Sequence, residues 1–339
     1  MEKFEAAAGR IVKDYLKISQ DERFFIITDR ASGFPFHLSR ACYDFSRQQG
    51  IEARMVKQDQ ISYGPADRRV TGVLKGMRKN DCLFLCLEGQ LGNVYNSFGK
   101  GFRTFLRSRG VRFATMVGLM SLKDHASFLE ALAADMKGVR DRGRVIQDVM
   151  NRGKSLEVIG MSGTRIKCSI DGRKAWFNSG EFFRPGQGGN LPAGDVSICP
   201  VEGSVEGRIV IDLNMKVEAE TIPVKTPVEL ELENGEIAGI HGDKALVESV
   251  YNDLNNFSLI NSRQGFDSRA IFRISEIGFG LLPGKPIGLN LMDKSLVGVC
   301  EIGNGNSWGK GGKNRCRGHR GHLFWMKEAR VDGELIRLK

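Results

Sequence analysis

The residue pattern of this 339-residue chain changes character near residue 153, and that change constrains the fold more than any other feature. Before it, short apolar runs alternate with amphipathic stretches. Residues 4–16 carry apolar side chains near helical spacing, and residues 23–28 read as a buried strand ended by Asp29 and the turn residues Ser32-Gly33. Helical patterns at 38–49, 70–77 and 95–109 then alternate with strand patterns at 52–56, 81–87 and 112–117. Gly50 and Gly110 stand where helix stops belong. Alternation at this pace predicts βαβ units, a mainly parallel sheet and right-handed connections. Residues 121–150 read as one long helix, with Ser121 and Asp124 as a capping-box-like start and Gly153 as its breaker.

After residue 153, short strands follow one another between Gly, Pro and Asn, at 156–161, 165–170, 204–213, 228–233 and 236–241. A single helix interrupts them at 244–255. This is the pattern of an antiparallel sheet or open barrel. The expected class is therefore α/β: an N-terminal Rossmann-like α/β domain over 1–120, a linking helix over 121–152, and a C-terminal α+β domain over 153–339.

Composition narrows the function classes. Hydrophobic residues at 41% and charged residues at 27% describe an ordinary globular protein. The apolar runs 24–27 and 82–87 fall far short of the ~20 residues that span a bilayer. The N-terminus, MEKFEAAAGR, has neither the basic start nor the apolar core of a signal peptide, so a cytoplasmic location is expected. Seven cysteines without a CxxC argue against a thiolate zinc site, and Cys42, Cys82, Cys86, Cys168 and Cys199 lie in apolar stretches where thiols pack. A net charge of +10 permits an acidic peptide, an anionic membrane or a nucleic acid without choosing among them. Nucleic acid ranks last, because no DNA- or RNA-binding motif accompanies Trp308 and Trp325.

Phosphate loops, HExxH and a GxGxxG after the first strand are all absent. Four segments carry the chemistry instead. Gly188-Gly189-Asn190-Leu191-Pro192-Ala193-Gly194-Asp195-Val196 places a carboxylate after a turn and at a strand start, which equally suits a solvated hairpin Asp. Ser275-Glu276-Ile277-Gly278 embeds an acid among apolar neighbours, costly to bury unless paired or bound to a cation. Glu301 sits in a third segment, Gly298 to Gly309. The fourth is glycine-rich and basic, with Lys310, Lys313, Arg315, Arg317 and Arg320, and it ends on His319 and His322. Imidazole with carboxylates is a plausible set for a divalent ion. The same basic loop also reads as a solvated one.

Taken in order, these segments resemble the aminopeptidase T/aminopeptidase S metallopeptidases, whose relatives include the mononuclear-iron 2,5-dihydroxypyridine dioxygenases. GNLPAG is the specific part, supported by Ser162-Gly163-Thr164, Ile170-Asp171-Gly172-Arg173, Pro200-Val201-Glu202-Gly203 and Val331-Asp332-Gly333-Glu334-Leu335. The resemblance implies a homodimer, a peptide substrate, and one divalent ion (Zn, Mn, Co or Fe) or none. It places ligands at Asp195, Glu276, Glu301 and His322 or His319, or both histidines, with Glu276 or Glu301 as catalytic base. The match is uneven. Asp195 replaces a Glu, Glu301 replaces a His, and the closing His-x-Asp pair has Phe324 or Gly321 where the Asp belongs. A two-metal site with ions ~3.5–4 Å apart needs more ligands than remain. A single-ion amide hydrolase is one expectation. An inactive homologue that binds an acidic peptide through Lys310, Lys313, Arg315, Arg317 and Arg320 is the other, and a non-haem iron enzyme ranks behind both.

Overall fold

The computed structural model describes residues 2–61, 64–218 and 220–337. The chain forms two compact units, Met1–Asp135 with Gly180–Ala193, and Met136–Ser179 with Gly194–Lys339.

The first unit is built on a parallel sheet. Its strands are β1 (Arg23–Asp29), β2 (Glu52–Gln58), β3 (Cys82–Cys86) and β4 (Arg112–Met116). A fifth, β8 (Gly188–Asn190), returns from later in the chain, and the order is β2-β1-β3-β4-β8. The helices are α1 (Glu2–Gly9), α2 (Phe34–Gln48), α3 (Arg68–Gly76), α4 (Tyr95–Phe98), α5 (Phe102–Ser108) and α6 (His125–Ala133). β3 is buried on both faces, which is why Cys82-Leu83-Phe84-Leu85-Cys86 is apolar without alternation. One face packs Phe25, Ile27, Leu83, Leu85 and Phe113 against Val70 and Leu74 of α3 and Leu106 of α5. Each such side chain stabilises the fold by about 1.5–3 kcal/mol on burial. Asp67 caps α3 by accepting the Arg69 and Val70 N–H groups.

Two expected helices are each divided. The pattern over 95–109 splits into α4 and α5 because Gly99, at φ +67°, takes a left-handed turn. The pattern over 121–150 splits into α6 and α7 (Lys137–Arg152). Asp124, rather than Ser121, caps α6 through the Ser127 N–H, and Ala134 turns extended after it. Nothing in the local composition marks that break. The chain passes from one unit to the other there.

Among the described residues, the second unit is one large antiparallel sheet with three α-helices. Its strands are β5 (Ser155–Gly160), β6 (Arg165–Ser169), β7 (Trp176–Asn178), β9 (Asp195–Ile198), β10 (Glu206–Ile211), β11 (Asn214–Val217), β12 (Glu220–Pro223), β13 (Val228–Glu233), β14 (Glu236–His241), β15 (Ile274–Gly280), β16 (Val299–Gly305), β17 (His319–Val331) and β18 (Glu334–Leu335). The helices are α7, α8 (Lys244–Arg263) and α9 (Asn290–Asp293). The main path runs β14-β13-β10-β6-β5-β17-β16-β15-β9-β7, with β11, β12 and β18 beside it. The first half of β17 pairs with β16 and its second half with β5, so one long strand joins the two arcs. The α/β class with a parallel sheet and an antiparallel half-barrel is the architecture observed. Among the described residues, no helix is long and apolar enough to cross a membrane.

Candidate functional site

Antiparallel register fixes which side chains meet. Paired residues share a face, and faces alternate along each strand. Gly280 pairs with Asp195, Gly278 with Glu301, Glu276 with Gly303, and Gly305 with His319. Asp195, Glu276, Glu301 and His319 therefore share one face of β9, β15, β16 and β17. His322 pairs with Ile302 and lies on the other face. The alternative between the two histidines resolves into opposite sides of one sheet.

Glycines make room for the acids. A Cβ on Gly321 would stand 2.1 Å from Glu301 Oε1, and one on Gly303 would stand 2.7 Å from His319 Cε1 and 2.9 Å from Glu276 Cβ. The acids lie over a floor without side chains. Sequence reading did not single out these glycines as part of the site, although Gly278, Gly303 and Gly321 each stand two residues after Glu276, Glu301 and His319.

Each carboxylate already holds a cation from the chain. Lys294 Nζ lies 3.5 Å from Asp195 Oδ2 and 3.3 Å from Glu301 Oε2, with side-chain exposures of only 12%, 7% and 8%. Asn178 Nδ2 donates to Asp195 Oδ1 at 3.0 Å, and the Ser295 hydroxyl donates to the same oxygen at 3.4 Å. Glu276 takes a short ion pair from Lys310, and His319 Nε2 stands 3.1 Å from its Oε2. Burial opposes the Glu276 charge, but Lys310, His319 and Lys294 outweigh it and hold the carboxyl well below its usual range. Burial likewise opposes the Lys294 charge, and Asp195, Glu301 and Glu276 overcome it to raise that pKa. Lys294 follows α9, in a stretch without a motif. The only signal for it was indirect: three acids on one face call for a counter-charge.

The opposite face is a separate arrangement. Arg320 makes a two-pronged ion pair with Asp253 of α8, at 2.5 and 2.8 Å, and lies 4.5 Å over the Phe257 ring. His322 is 1% exposed, its Nδ1 accepts the Lys216 backbone N–H at 3.3 Å, and its Nε2 has no partner. An imidazole accepting at Nδ1 carries its proton on Nε2. That tautomer offers no lone pair to a metal. Burial, then Arg320 and His319, push the His322 pKa down to about 3. Burial and Arg320 also lower Lys216, to about 8.

The divalent ion that the family resemblance implies does not fit these donors as they stand. Among the described residues, no group of three or more His, Cys, Asp or Glu side chains is placed to hold one. Ammonium groups sit where the acids would offer lone pairs, and the face contributes one imidazole rather than two.

The basic cluster is also divided. Lys310 is spent on Glu276 and Arg320 is buried against Asp253. Arg317 Nε donates to Gln264 Oε1 at 2.6 Å and stacks over Phe266. Arg315 lies over Phe266 and over Trp308, which is 59% exposed. Lys313 donates its backbone N–H to Glu202 Oε1 at 2.6 Å, and its side chain is exposed. The cysteines are all free and buried.

The fold and the acid face together define an α/β chain with an antiparallel half-barrel that carries an acid-lined site. Residues 109–286, more than half of the chain, match the family described as NicX: 2,5-dihydroxypyridine 5,6-dioxygenase, and the chain belongs to that family. The 2,5-dihydroxypyridine 5,6-dioxygenase of Pseudomonas putida KT2440 is 28% identical over 156 residues, 45% of this chain and 42% of that protein. The match thus spans less than half the length of that curated relative. Among solved structures, the 2,5-dihydroxypyridine dioxygenase of the same organism superposes with a TM-score of 0.73 at 16% identity, covering 98% of this chain and 94% of that one. Wild-type AmpT from Thermus thermophilus gives 0.66 at 13% identity, covering 99% of each chain. At these identities the structural likeness is one of fold.

Proposed function

We propose that this chain is a peptide-binding member of the family that neutralises its acid face with its own lysines and performs no metal-dependent hydrolysis. The observation that carries this reading is Lys294, whose buried ammonium bridges Asp195 and Glu301. Lys310 is different. It arrives from a loop and its side chain is 40% exposed, so another primary amine can replace it on Glu276. A peptide N-terminus supplies such an amine, and the exposed Lys313 and Arg315 nearby suit acidic side chains. Metal analysis after incubation with Zn²⁺, Mn²⁺, Co²⁺ and Fe²⁺, a panel of aminoacyl substrates, and titration with an acidic peptide test this together. Expected are no stoichiometric metal, no turnover, and salt-sensitive peptide binding. Peptide binding unchanged by charge reversal at Arg315 would remove this reading.

A metal-dependent hydrolase is the second reading, favoured by four donor residues on one face over a glycine floor. It requires Lys294 to leave Asp195 and Glu301 before an ion enters. Stoichiometric metal together with aminoacyl turnover would establish it in place of the first. An iron dioxygenase is less favoured, because two imidazoles and a carboxylate with open positions are needed and only His319 lies on the acid face.

A further inference from the structure

The first unit holds a pair of carboxylates that the fold leaves without a cation. They stand where the strand order of the parallel sheet reverses, with β2 on one side of β1 and β3 on the other. Ligands of open parallel α/β sheets bind in the crevice outside the carboxyl ends of the strands at that reversal. Asp29 is the last residue of β1, and Glu88 follows the end of β3.

Three side chains converge there. Asp29 and Gln58 are paired residues of β1 and β2, so they share a face. Both reach for the segment after β3. Asp29 Oδ2 accepts the Glu88 backbone N–H at 2.6 Å, and Gln58 Nε2 donates to the Gln90 carbonyl at 2.9 Å. Because β1 stands between β2 and β3, the Gln58 amide crosses the end of β1 to get there, beside Asp29. With Nε2 spent on that carbonyl, Oε1 faces the other way. Asp29 Oδ1 and Gln58 Oε1 are left as acceptors without a donor, on residues only 2% and 0% exposed. Buried acceptors in that state are rare and costly.

Glu88 completes the set. It is half-buried and lies against Gly33 at the start of α2, where a Cβ would stand 2.2 Å from Glu88 Oε1. Among the described residues no hydrogen bond or ion pair reaches this carboxylate. The α2 dipole favours its charge but supplies nothing to the two orphaned oxygens. Burial, with the Glu88 charge adding to it, raises the Asp29 pKa, as befits a carboxylate that lacks a counter-ion. Two anionic groups and one amide oxygen, without nitrogen or sulfur, form the donor set of a hard cation. The orphaned oxygens are sealed from solvent, which suits a single ion entering past Glu88 better than an organic ligand.

We propose that Asp29, Gln58 and Glu88 bind one divalent cation, Mg²⁺ or Ca²⁺, in the crevice between the ends of β1 and β3. The site lies wholly within the first unit and does not depend on the reading given above for the acid face. Isothermal titration of the full chain, first stripped with EDTA, with MgCl₂ in one arm and CaCl₂ in the other, tests it and identifies the ion. Saturable binding of one ion per chain is expected, with a rise in the thermal midpoint. Glu88→Gln, at a half-exposed position, should weaken binding at least tenfold. Asp29→Asn should abolish it while folding at least as stably as wild type without the ion, because its amide keeps the Glu88 contact and turns an N–H toward Gln58 Oε1. Binding lost in Asp29→Asn but kept in Glu276→Gln assigns the ion to this crevice and not to the acid face. A proton shared by Asp29 and Gln58 would fill the same gap and leave both titrations flat. Flat titrations, or binding undiminished in either Asp29→Asn or Glu88→Gln, would overturn the proposal.

Discussion

Glu276 in the second unit is buried and Arg103 in the first is partly exposed, and the fold treats the two charges in opposite ways. Around Glu276, as around Asp195 and Glu301, the chain provides its own cations and an imidazole. Around Arg103 it provides only neutral oxygens. A charge with an internal partner is part of the structure, and removing that partner strands it. A charge without one is left to solvent, and removing it strands no buried partner.

The largest effect is expected where the internal cation is removed. Lys294→Met leaves Asp195 and Glu301 buried and uncompensated, and should cost about 3–5 kcal/mol in urea denaturation at pH 7. Combining it with Asp195→Asn and Glu301→Gln should recover most of that loss. A cost below about 1 kcal/mol would mean that water, not Lys294, neutralises the acids.

The buried His322 probes a charge that the fold refuses altogether. Its folded pKa of about 3 lies below the ordinary value of 6.5. Between those values the unfolded chain takes up a proton that the folded chain does not. The His322 contribution is therefore fully present above pH 6.5 and falls by about 1.4 kcal/mol per unit as pH drops. From pH 6.5 to 4.5 the loss should approach roughly 2–3 kcal/mol, and it should flatten in His322→Gln. Glu276 adds to the loss only below its ordinary carboxylate value of 4.5, because its folded pKa is depressed. An acid limb identical in wild type and His322→Gln would show that the imidazole is not held neutral.

Gly321→Ala asks whether the floor matters as much as the charges. Its Cβ would meet Glu301 Oε1 at 2.1 Å and drive that carboxylate off Lys294. A loss of about 1–3 kcal/mol is expected in thermal or chemical denaturation.

The smallest effect is expected at the other pole of the comparison. Arg103→Met breaks two hydrogen bonds but no ion pair, so its stability should stay within about 1 kcal/mol of wild type. A loss matching that of Lys294→Met would erase the contrast.

The sequence made the parallel half readable because its elements are long and strongly periodic. Residues 23–28 and 81–87 are strands nearly to their expected ends, whereas the breaker Gly99-Lys100-Gly101 was outweighed by the helical spacing on either side of it. In the second half, 228–233 and 236–241 were read without error, since Asn234-Gly235 marks the turn between them. The site was half legible. Asp195, Glu276 and Glu301 stood out as acids in apolar or turn settings. Lys294 did not, because a lysine after a short helix looks like any surface lysine until three strands bring carboxylates around it. The two histidines could have been separated sooner: residues three apart in a strand never share a face.

That separation has a consequence of its own. Shifting β17 by one position would exchange the imidazole that meets the carboxylates for the one buried beside β11. Such a slip cannot occur locally, because the strand is stitched to β16 over its first half and to β5 over its second. Which histidine faces the acids is thus decided as much by a ladder at the far end of the strand as by any group beside them.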